Sequence, residues 1–454
     1  MYDILIKEGM IVDFEKNQTF IGDIGINGNK ITFIGQCSST AKKVIDASGK
    51  VVSPGFIDIH MHEEKIKKAK NIEPYDIANY MVLMGVTTGI AGNCGDNYQE
   101  IGDFLDFIDK NGSPINYMTF VGQNYLRNIV GIEDRYRRAT SFEIDKMKQL
   151  ITESIFNVGA IGISFGLEYS PGVTFEEIIE LCESVEDEDI LLAAHYRKDA
   201  KKGVESIKEL INISEITGKP MQISHIGSCV GFGNMKEGLG EIEKAIAKGI
   251  DVAADCYPYN AFSTRIGSAV FDEGCFENWG AKYEDILLTE EPYKGMKCSE
   301  KIFYRVRREH PDMLVVAFAM NEEEILEALR APFVYIASDG LYNKGQGHPR
   351  GAGTFPKVIG KYVREDKELD LIEALKKMTK LPANRLGLKN KGEIKEGMDA
   401  DIVIFDFNSI RDFSTFEKPT LPPKGIEYVL VNGSVAVEKN KIINKRLGKA
   451  IRKN

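Results

Sequence analysis

The chain has 454 residues, which is more than a typical single domain and suits one large domain with a smaller one beside it. Its hydrophobic (43%) and charged (28%) fractions are those of a folded globular protein, and a net charge of −10 argues against nucleic acid as a partner. No apolar run reaches the ~18 residues of a membrane-spanning helix, and the first residues lack the pattern of a signal peptide, so we expect no association with a membrane.

Short apolar strands separated by turns are predicted at both ends of the chain. Residues 1–53 contain several such strands, and Asn27-Gly-Asn-Lys30 between two of them indicates a β-hairpin. Strands return after the helix that begins near Leu371, and a basic tail that we expect in solvent runs from Lys441 to the end. We therefore predict one small β-sandwich domain built from residues 1–55 and 385–454.

Residues 56–384 alternate apolar strands with charged amphipathic helices, which is the βαβ pattern of a buried parallel sheet. Eight strands would close a (β/α)8 barrel, so the fold class is α/β with a TIM-like barrel. The pattern yields nine candidates, and we expect 314–320 to lie in an insertion or to be a false strand. The nine candidates are 56–62, 86–94, 116–123, 160–167, 190–197, 221–227, 251–257, 314–320 and 333–339.

The alternation of strands and helices stops at residues 260–313. No clear strand is predicted there, and the segment contains the only tryptophan of the sequence, Trp279. A segment of this length without regular structure is often a functional lid. A purely decorative insertion is an equal alternative.

Residues that bind metals recur at the predicted strand ends. His60 and His62 are two apart, so in a strand both imidazoles project from one face. Such a pair alone is commonly a surface feature. Four further residues occupy equivalent positions at the carboxyl ends of later strands, where the active sites of barrels lie: Cys94, His195, His225 and Asp339. The whole set predicts a metal centre, and imidazole with thiolate favours Zn²⁺ over Mg²⁺ or Ca²⁺.

The chemistry of such a centre follows from its parts. A zinc ion acidifies water and polarises a carbonyl. Asp339 is positioned to take a proton from water and to deliver it to a leaving nitrogen, although a simple role as metal ligand is compatible with the same position.

The chain resembles the amidohydrolase superfamily in three places. They are the string Pro54-Gly-Phe-Ile-Asp-Ile-His-Met-His62, the two later strand-end histidines and Ser338-Asp-Gly340. Within this superfamily, the chain resembles the D-aminoacylases, because it contains Gly92-Asn-Cys-Gly95 and has no lysine in residues 160–167. Many other amidohydrolases use a carbamylated lysine on that strand. The likeness extends over nearly the whole chain, including His348-Pro-Arg-Gly351.

The resemblance implies a tightly held zinc on Cys94, His195 and His225, with a weaker second metal position on His60, His62 and Cys94. Asp339 would be the catalytic acid and base, and also a metal ligand. The residues implied in binding substrate are Arg350 for the α-carboxylate, helped by Tyr257 and Ser263, and Tyr169 as part of a pocket wall.

The activity implied is the zinc-dependent removal of the acyl group from an N-acyl-D-amino acid, giving a D-amino acid and a carboxylate. Close alternatives are hydrolysis of a D-dipeptide, an N-carbamoyl-D-amino acid or a cyclic amide, and a distant one is a non-catalytic scaffold. Arg265 could meet an acidic side chain, but we expect a free surface arginine.

Seven cysteines at irregular spacing, with no Cys-x-x-Cys pair, favour reduced thiols and a cytoplasmic location. The partner implied is a small-molecule substrate, and the sequence leaves the oligomeric state open.

Overall fold

A computed structural model describes residues 1–66, 75–186 and 189–453. Eight parallel strands form the predicted barrel, and six of its eight neighbouring pairs are hydrogen-bonded directly. They are Phe56–Asp58, Val86–Ala91, Asn116–Thr119, Gly162–Gly166, Leu191–His195, Met221–Ile223, Val252–Cys256 and Val334–Ile336.

Two junctions complete the ring of strands. The short strand Val121–Gly122 continues the third barrel strand and pairs with the fourth. The last strand returns to the first through a parallel bridge between Met61 and Gly340, and the Asp339 amide donates to the His60 carbonyl. The α/β barrel predicted from the sequence is therefore confirmed.

Amphipathic helices cover the barrel because their apolar residues recur three and four apart. Four residues of Ile101–Asn111 are buried in this way: Ile101, Phe104, Leu105 and Ile108. The helices are Ala78–Leu83, Ile101–Asn111, Gln123–Ile129, Ser141–Glu153, Phe175–Glu183, Gly203–Thr217, Ile226–Val230, Met235–Ala247, Cys275–Trp279, Glu300–Glu309, Glu322–Arg330, Arg350–Lys357, Leu371–Met378 and Lys380–Arg385. Of the described helices, none is long and apolar enough to cross a membrane.

Strands from both ends of the chain join in a separate nine-stranded sheet. Val51–Pro54 pairs with Tyr2–Asp13 on one side and with Ile402–Phe405 on the other, so the junction between the two ends lies inside the sheet. The predicted hairpin forms at the Asn27–Lys30 pair. The strands are Tyr2–Asp13, Gln18–Asn27, Lys30–Gly35, Ala41–Asp46, Val51–Pro54, Ile402–Phe405, Ile426–Val431, Ser434–Glu438 and Lys441–Ile442.

A second apolar core, distinct from that of the barrel, unites these strands, with Ile6 and Ile24 from one end packed with Ile402 and Leu430 from the other. We propose that the two cores mark two domains, with the limits 1–55 plus 385–454 and 56–384. The basic tail does not extend into solvent as expected, because Gly448 and Ala450 form bridges with the barrel residues Ser113 and Tyr117.

The insertion differs from the expectation, since it contains a three-stranded antiparallel sheet. Leu314–Ala317 is its central strand, between Phe262–Arg265 and Ile286–Leu288. The ninth candidate strand thus belongs to the insertion and not to the barrel, while the expectation of no strand in 260–313 is wrong. Trp279 anchors the insertion to the barrel, since its indole donates to Asp199 at 2.5 Å.

A buried ion pair ties two of the outer helices together. Arg127 donates to both Glu177 oxygens at 2.9 and 2.7 Å, and both side chains are buried. Glu177→Ala leaves the guanidinium buried without its partner, so we expect the free energy of unfolding to fall by about 3–5 kcal/mol. Urea titration measures this change.

Glu309→Ala is the control, because Glu309 pairs with Arg308 at the exposed surface. That variant should leave the free energy of unfolding nearly unchanged, because solvent screens an exposed ion pair. Equal effects of the two substitutions would contradict the structural importance of the buried pair.

Candidate active site

The six strand-end residues singled out from the sequence converge at one mouth of the barrel. Their side-chain donor atoms form three overlapping groups, each with all atoms within 4.8 Å of one another. The groups are His60 with His62 and Cys94, Cys94 with His195 and His225, and His60 with His225 and Asp339.

Cys94 lies at the centre of this arrangement. Its Sγ is 3.4 Å from Nε2 of His225 and 3.4 Å from Nε2 of His60. His195 approaches from the neighbouring strand, with its Nδ1 3.0 Å from Nε2 of His225. One sulfur and several imidazole nitrogens thus share one buried space, and these are the ligand types that Zn²⁺ prefers. The donor set therefore fits a zinc ion.

The backbone at three of these residues is in the left-handed region. Cys94, His225 and Asp339 have φ values of 55°, 33° and 48°. L residues adopt this conformation at a cost, and such residues cluster at functional sites.

The charges in this space are coupled. Burial alone would raise the pKa of the Cys94 thiol, but the adjacent His60 and His225 outweigh it and hold that pKa well below its usual value. Burial opposes protonation of His195, yet Cys94 and Glu168 raise its pKa to about 9. The histidines therefore favour the thiolate of Cys94, which is the form that binds metals and reacts as a nucleophile.

Asp339 lies at the edge of the histidine cluster and contacts Arg350. Its Oδ1 is 3.0 Å from Nε2 of His62 and 3.7 Å from Nε2 of His60. Arg350 donates from Nε to the Asp339 carbonyl at 2.8 Å, and its Nη2 lies 2.9 Å from Asp339 Oδ2. Against the effect of burial, Arg350 and His62 hold the pKa of Asp339 well below its usual value, so the carboxyl is ionised.

Two buried donors beside Asp339 lack hydrogen-bond partners. They are Nη1 of Arg350 and the hydroxyl of Tyr257, whose ring centroid is 4.6 Å from the guanidinium carbon. Buried donors without a partner are costly, so their presence indicates a ligand with acceptor atoms. Both residues line a compartment of about 20 Å³ next to His195 and His225.

A larger cleft of about 280 Å³ opens from the same centre and is lined by His62, Cys94 and Asp339. Tyr169 and Ser263 line both spaces. The Tyr169 ring lies 4.4 Å from that of His195 between centroids, and Ser263 accepts from Arg350 through its carbonyl at 3.1 Å. Every residue predicted for the site is therefore at or next to the cleft.

Arg265 is not the free surface arginine that we expected. It lines the large cleft, its Nη2 donates to the Tyr98 hydroxyl at 3.0 Å, and its Nη1 is 3.6 Å from Asp96. The pairing with Tyr98 crosses 167 positions of sequence, so no local pattern could have revealed it.

Three further residues contact the histidines and were missed. Glu168 lies 3.1 Å from Nε2 of His195, and Ser228 lies 2.9 Å from Nδ1 of His225. Asp255 accepts from the His225 amide at 2.8 Å and is 3.3 Å from Nδ1 of His60. Asp255 ends a barrel strand, so the reasoning that found the histidines could have found it as well. Glu168 follows the fourth strand in a turn and carries no such signal.

Comparisons with known proteins place the chain among hydrolases of this architecture. The family model described as "Amidohydrolase family" matches residues 314–437. A D-aminoacylase of Alcaligenes xylosoxydans xylosoxydans is 31% identical, with 99% of this chain and 97% of that protein covered. A crystal structure of D-aminoacylase has a TM-score of 0.90 at 30% identity, with 100% of both chains covered.

A third similar protein is an N-acyl-D-glutamate deacylase from Bordetella bronchiseptica, 28% identical with a TM-score of 0.88 and 99% of both chains covered. That crystal structure holds zinc and a phosphonate inhibitor, a mimic of the tetrahedral intermediate of the reaction.

The low pKa of Cys94 predicts its reactivity. In protein stripped of metal with a chelator, iodoacetamide at about pH 6 should modify Cys94 well before Cys256, whose pKa burial raises to about 12. The Cys94 rate should also exceed that of a free cysteine at this pH, because a lowered pKa increases the fraction of thiolate. Peptide mass spectrometry measures both rates.

Added zinc should protect Cys94 from the reagent if the sulfur is a ligand. Equal labelling of Cys94 and Cys256 at about pH 6 would contradict the assignment of a thiolate.

Proposed function

The chain belongs to the D-aminoacylase family of amidohydrolases, and we propose that it is a zinc-dependent hydrolase of N-acyl-D-amino acids. Water and the substrate amide give a D-amino acid and a carboxylate. The convergence of Cys94, His195 and His225 beside Asp339 and two unpartnered donors is the observation that carries this proposal.

We assign the tightly held zinc to Cys94, His195 and His225, whose donor atoms form one buried group. His60, His62 and Cys94 form the second group and would hold a weaker ion. A zinc ion in this place supplies a Lewis acid that polarises the amide carbonyl and makes nearby water more acidic.

Asp339 performs the proton transfers in this proposal. Its carboxylate is ionised because Arg350 and His62 stabilise the charge, so it can accept a proton from the attacking water. The Asp339 carboxyl then delivers that proton to the amide nitrogen as the C–N bond breaks, which releases a neutral amine and a carboxylic acid. Asp339 ends the cycle ionised, and transfer of the proton of the carboxylic acid to the amine gives the carboxylate and the ammonium form of the D-amino acid.

Arg350 and Tyr257 bind the α-carboxylate of the substrate. Arg350 Nη1 and the Tyr257 hydroxyl are both buried and free, and a carboxylate offers acceptors for both. Arg350 is itself held by Asp339 and by the Ser263 carbonyl, so the guanidinium is oriented before substrate arrives. Tyr169 and Ser263 form the wall between this compartment and the larger cleft.

Cyclic amides are a less suitable substrate class for this site. The fourth barrel strand, Gly162–Gly166, contains no lysine that could be carbamylated, and the thiolate of Cys94 is at the centre of the metal group instead. A D-dipeptide or an N-carbamoyl-D-amino acid would present the same carboxylate and the same scissile bond, so both remain within the proposed chemistry.

We also propose that the enzyme works on a small-molecule substrate in the cytoplasm. All seven cysteines are free, and four of them besides Cys94 are buried thiols. The thiolate of Cys94 needs a reducing environment to persist.

The test is an assay of purified protein with known zinc content. Activity is expected on N-acetyl-D-amino acids and not on the L series, together with about one zinc or more per chain. Cys94→Ala should lose both zinc and activity, since it removes the shared ligand. Turnover of the L series alone, or full activity in Cys94→Ala, would refute the proposal.

Tyr257→Phe tests the carboxylate site by removing one donor without disturbing the Arg350–Asp339 contact. We expect KM to rise about tenfold with little change in kcat, because a hydrogen bond to a charged group contributes about 1.5 kcal/mol. Steady-state kinetics with N-acetyl-D-amino acids measure both constants.

The control uses the same acyl amine without its carboxylate. Wild type and Tyr257→Phe should hydrolyse that analogue equally slowly. A difference that persists on the analogue would place the hydroxyl elsewhere in the mechanism.

A further inference from the structure

His195 and His225, which form a metal group with Cys94, are each held by a second polar group on the side of the ring that faces away from that group. His195 presents Nδ1 to His225, while its Nε2 lies 3.1 Å from Glu168. His225 presents Nε2 to Cys94, while its Nδ1 lies 2.9 Å from Ser228. The two rings thus use opposite nitrogens toward the centre.

Glu168 determines which nitrogen of His195 carries hydrogen. Because Nδ1 of His195 faces the metal group, a neutral ring that binds metal carries its hydrogen on Nε2, and a Glu168 oxygen 3.1 Å away accepts it. Glu168 and His195 are 4% exposed each, so water competes little for this contact. With the hydrogen on Nε2, the neutral ring has its lone pair on Nδ1, the atom that faces His225.

The Ser228 hydroxyl contacts the ring nitrogen of His225 that faces away from Cys94. The Ser228 oxygen also lies 3.0 Å from the His225 carbonyl oxygen, which can only accept a hydrogen bond. The Tyr196 hydroxyl donates to Ser228 at 2.9 Å. Because Nε2 of His225 faces Cys94, a neutral ring that binds metal carries its hydrogen on Nδ1, and the Ser228 oxygen 2.9 Å away accepts it.

We infer that Glu168 and Ser228 are positioning residues that fix opposite tautomers in His195 and His225, so that a bare nitrogen of each ring faces the metal group with Cys94. This inference rests on the metal assignment in the proposed function. Groups of this kind orient ligand imidazoles, and their loss weakens metal binding by about 10- to 100-fold.

The experiment measures the zinc dissociation constant by competition with a chromophoric chelator. Glu168→Leu removes the acceptor and should weaken binding by about 10- to 100-fold. Glu168→Gln keeps a carbonyl oxygen that accepts from Nε2 and should have a smaller effect. Ser228→Ala should weaken binding in the same range as Glu168→Leu.

Tyr196→Phe is the matched control, because it removes a donor to Ser228 and leaves the acceptor of His225 in place. Its zinc affinity should stay within about threefold of wild type. Circular dichroism and thermal unfolding of the apo proteins establish that each variant is folded.

Nitrogen NMR of the histidine rings in the zinc-loaded protein gives a readout of the tautomers themselves. The ring resonance altered by Glu168→Gln should report hydrogen on Nε2, and the one altered by Ser228→Ala should report hydrogen on Nδ1. The same tautomer in both rings would overturn the inference, whatever the affinities.

The outcomes separate this inference from the proposed function. Wild-type zinc affinity in Glu168→Leu and Ser228→Ala would overturn the positioning roles while leaving the function intact. A loss in Glu168→Gln as large as in Glu168→Leu would overturn the assignment of the acceptor. Full zinc affinity in Cys94→Ala would instead refute the metal assignment.

Discussion

The structure depends on bringing electron-rich atoms together where they repel one another. A thiolate and imidazole nitrogens share a space with little water, and such a set is stable only when positive charge lies among them. In the metal-free protein, protons supply that charge, which is why burial fails to suppress the protonation of His60 and His195. A bound zinc ion would supply this positive charge in place of several protons.

Rigid surroundings are what make that arrangement possible. Each left-handed residue at a strand end costs of order 1–3 kcal/mol, and the closed barrel supplies the support. Asp255 links two strands of the site, since it receives the His225 amide and the Gln222 side chain and also approaches His60. The site is therefore braced from behind by a polar residue that meets no substrate in the proposed reaction.

The sequence predicts this site well where metal-binding side chains recur at the ends of successive strands. His60 and His62 follow the period of a strand, and Cys94, His195, His225 and Asp339 each end one, so topology alone brings them together. Glu168 and Ser228 escape such reasoning because their contacts are set by the turns after the strands. The sheet of the insertion escapes it too, since its strands have three or four residues and pair across long stretches of chain.

The sheet built from both ends of the chain also constrains the order of events during synthesis. Val51–Pro54 is fully buried, yet its partner Ile402–Phe405 is made roughly 350 residues later. At translation rates of about 5–20 residues per second, that strand edge stays open for about 20–70 s. An apolar edge open for so long invites pairing with other chains. During synthesis, this small sheet is therefore a place where a chaperone that covers an open strand edge would protect the chain.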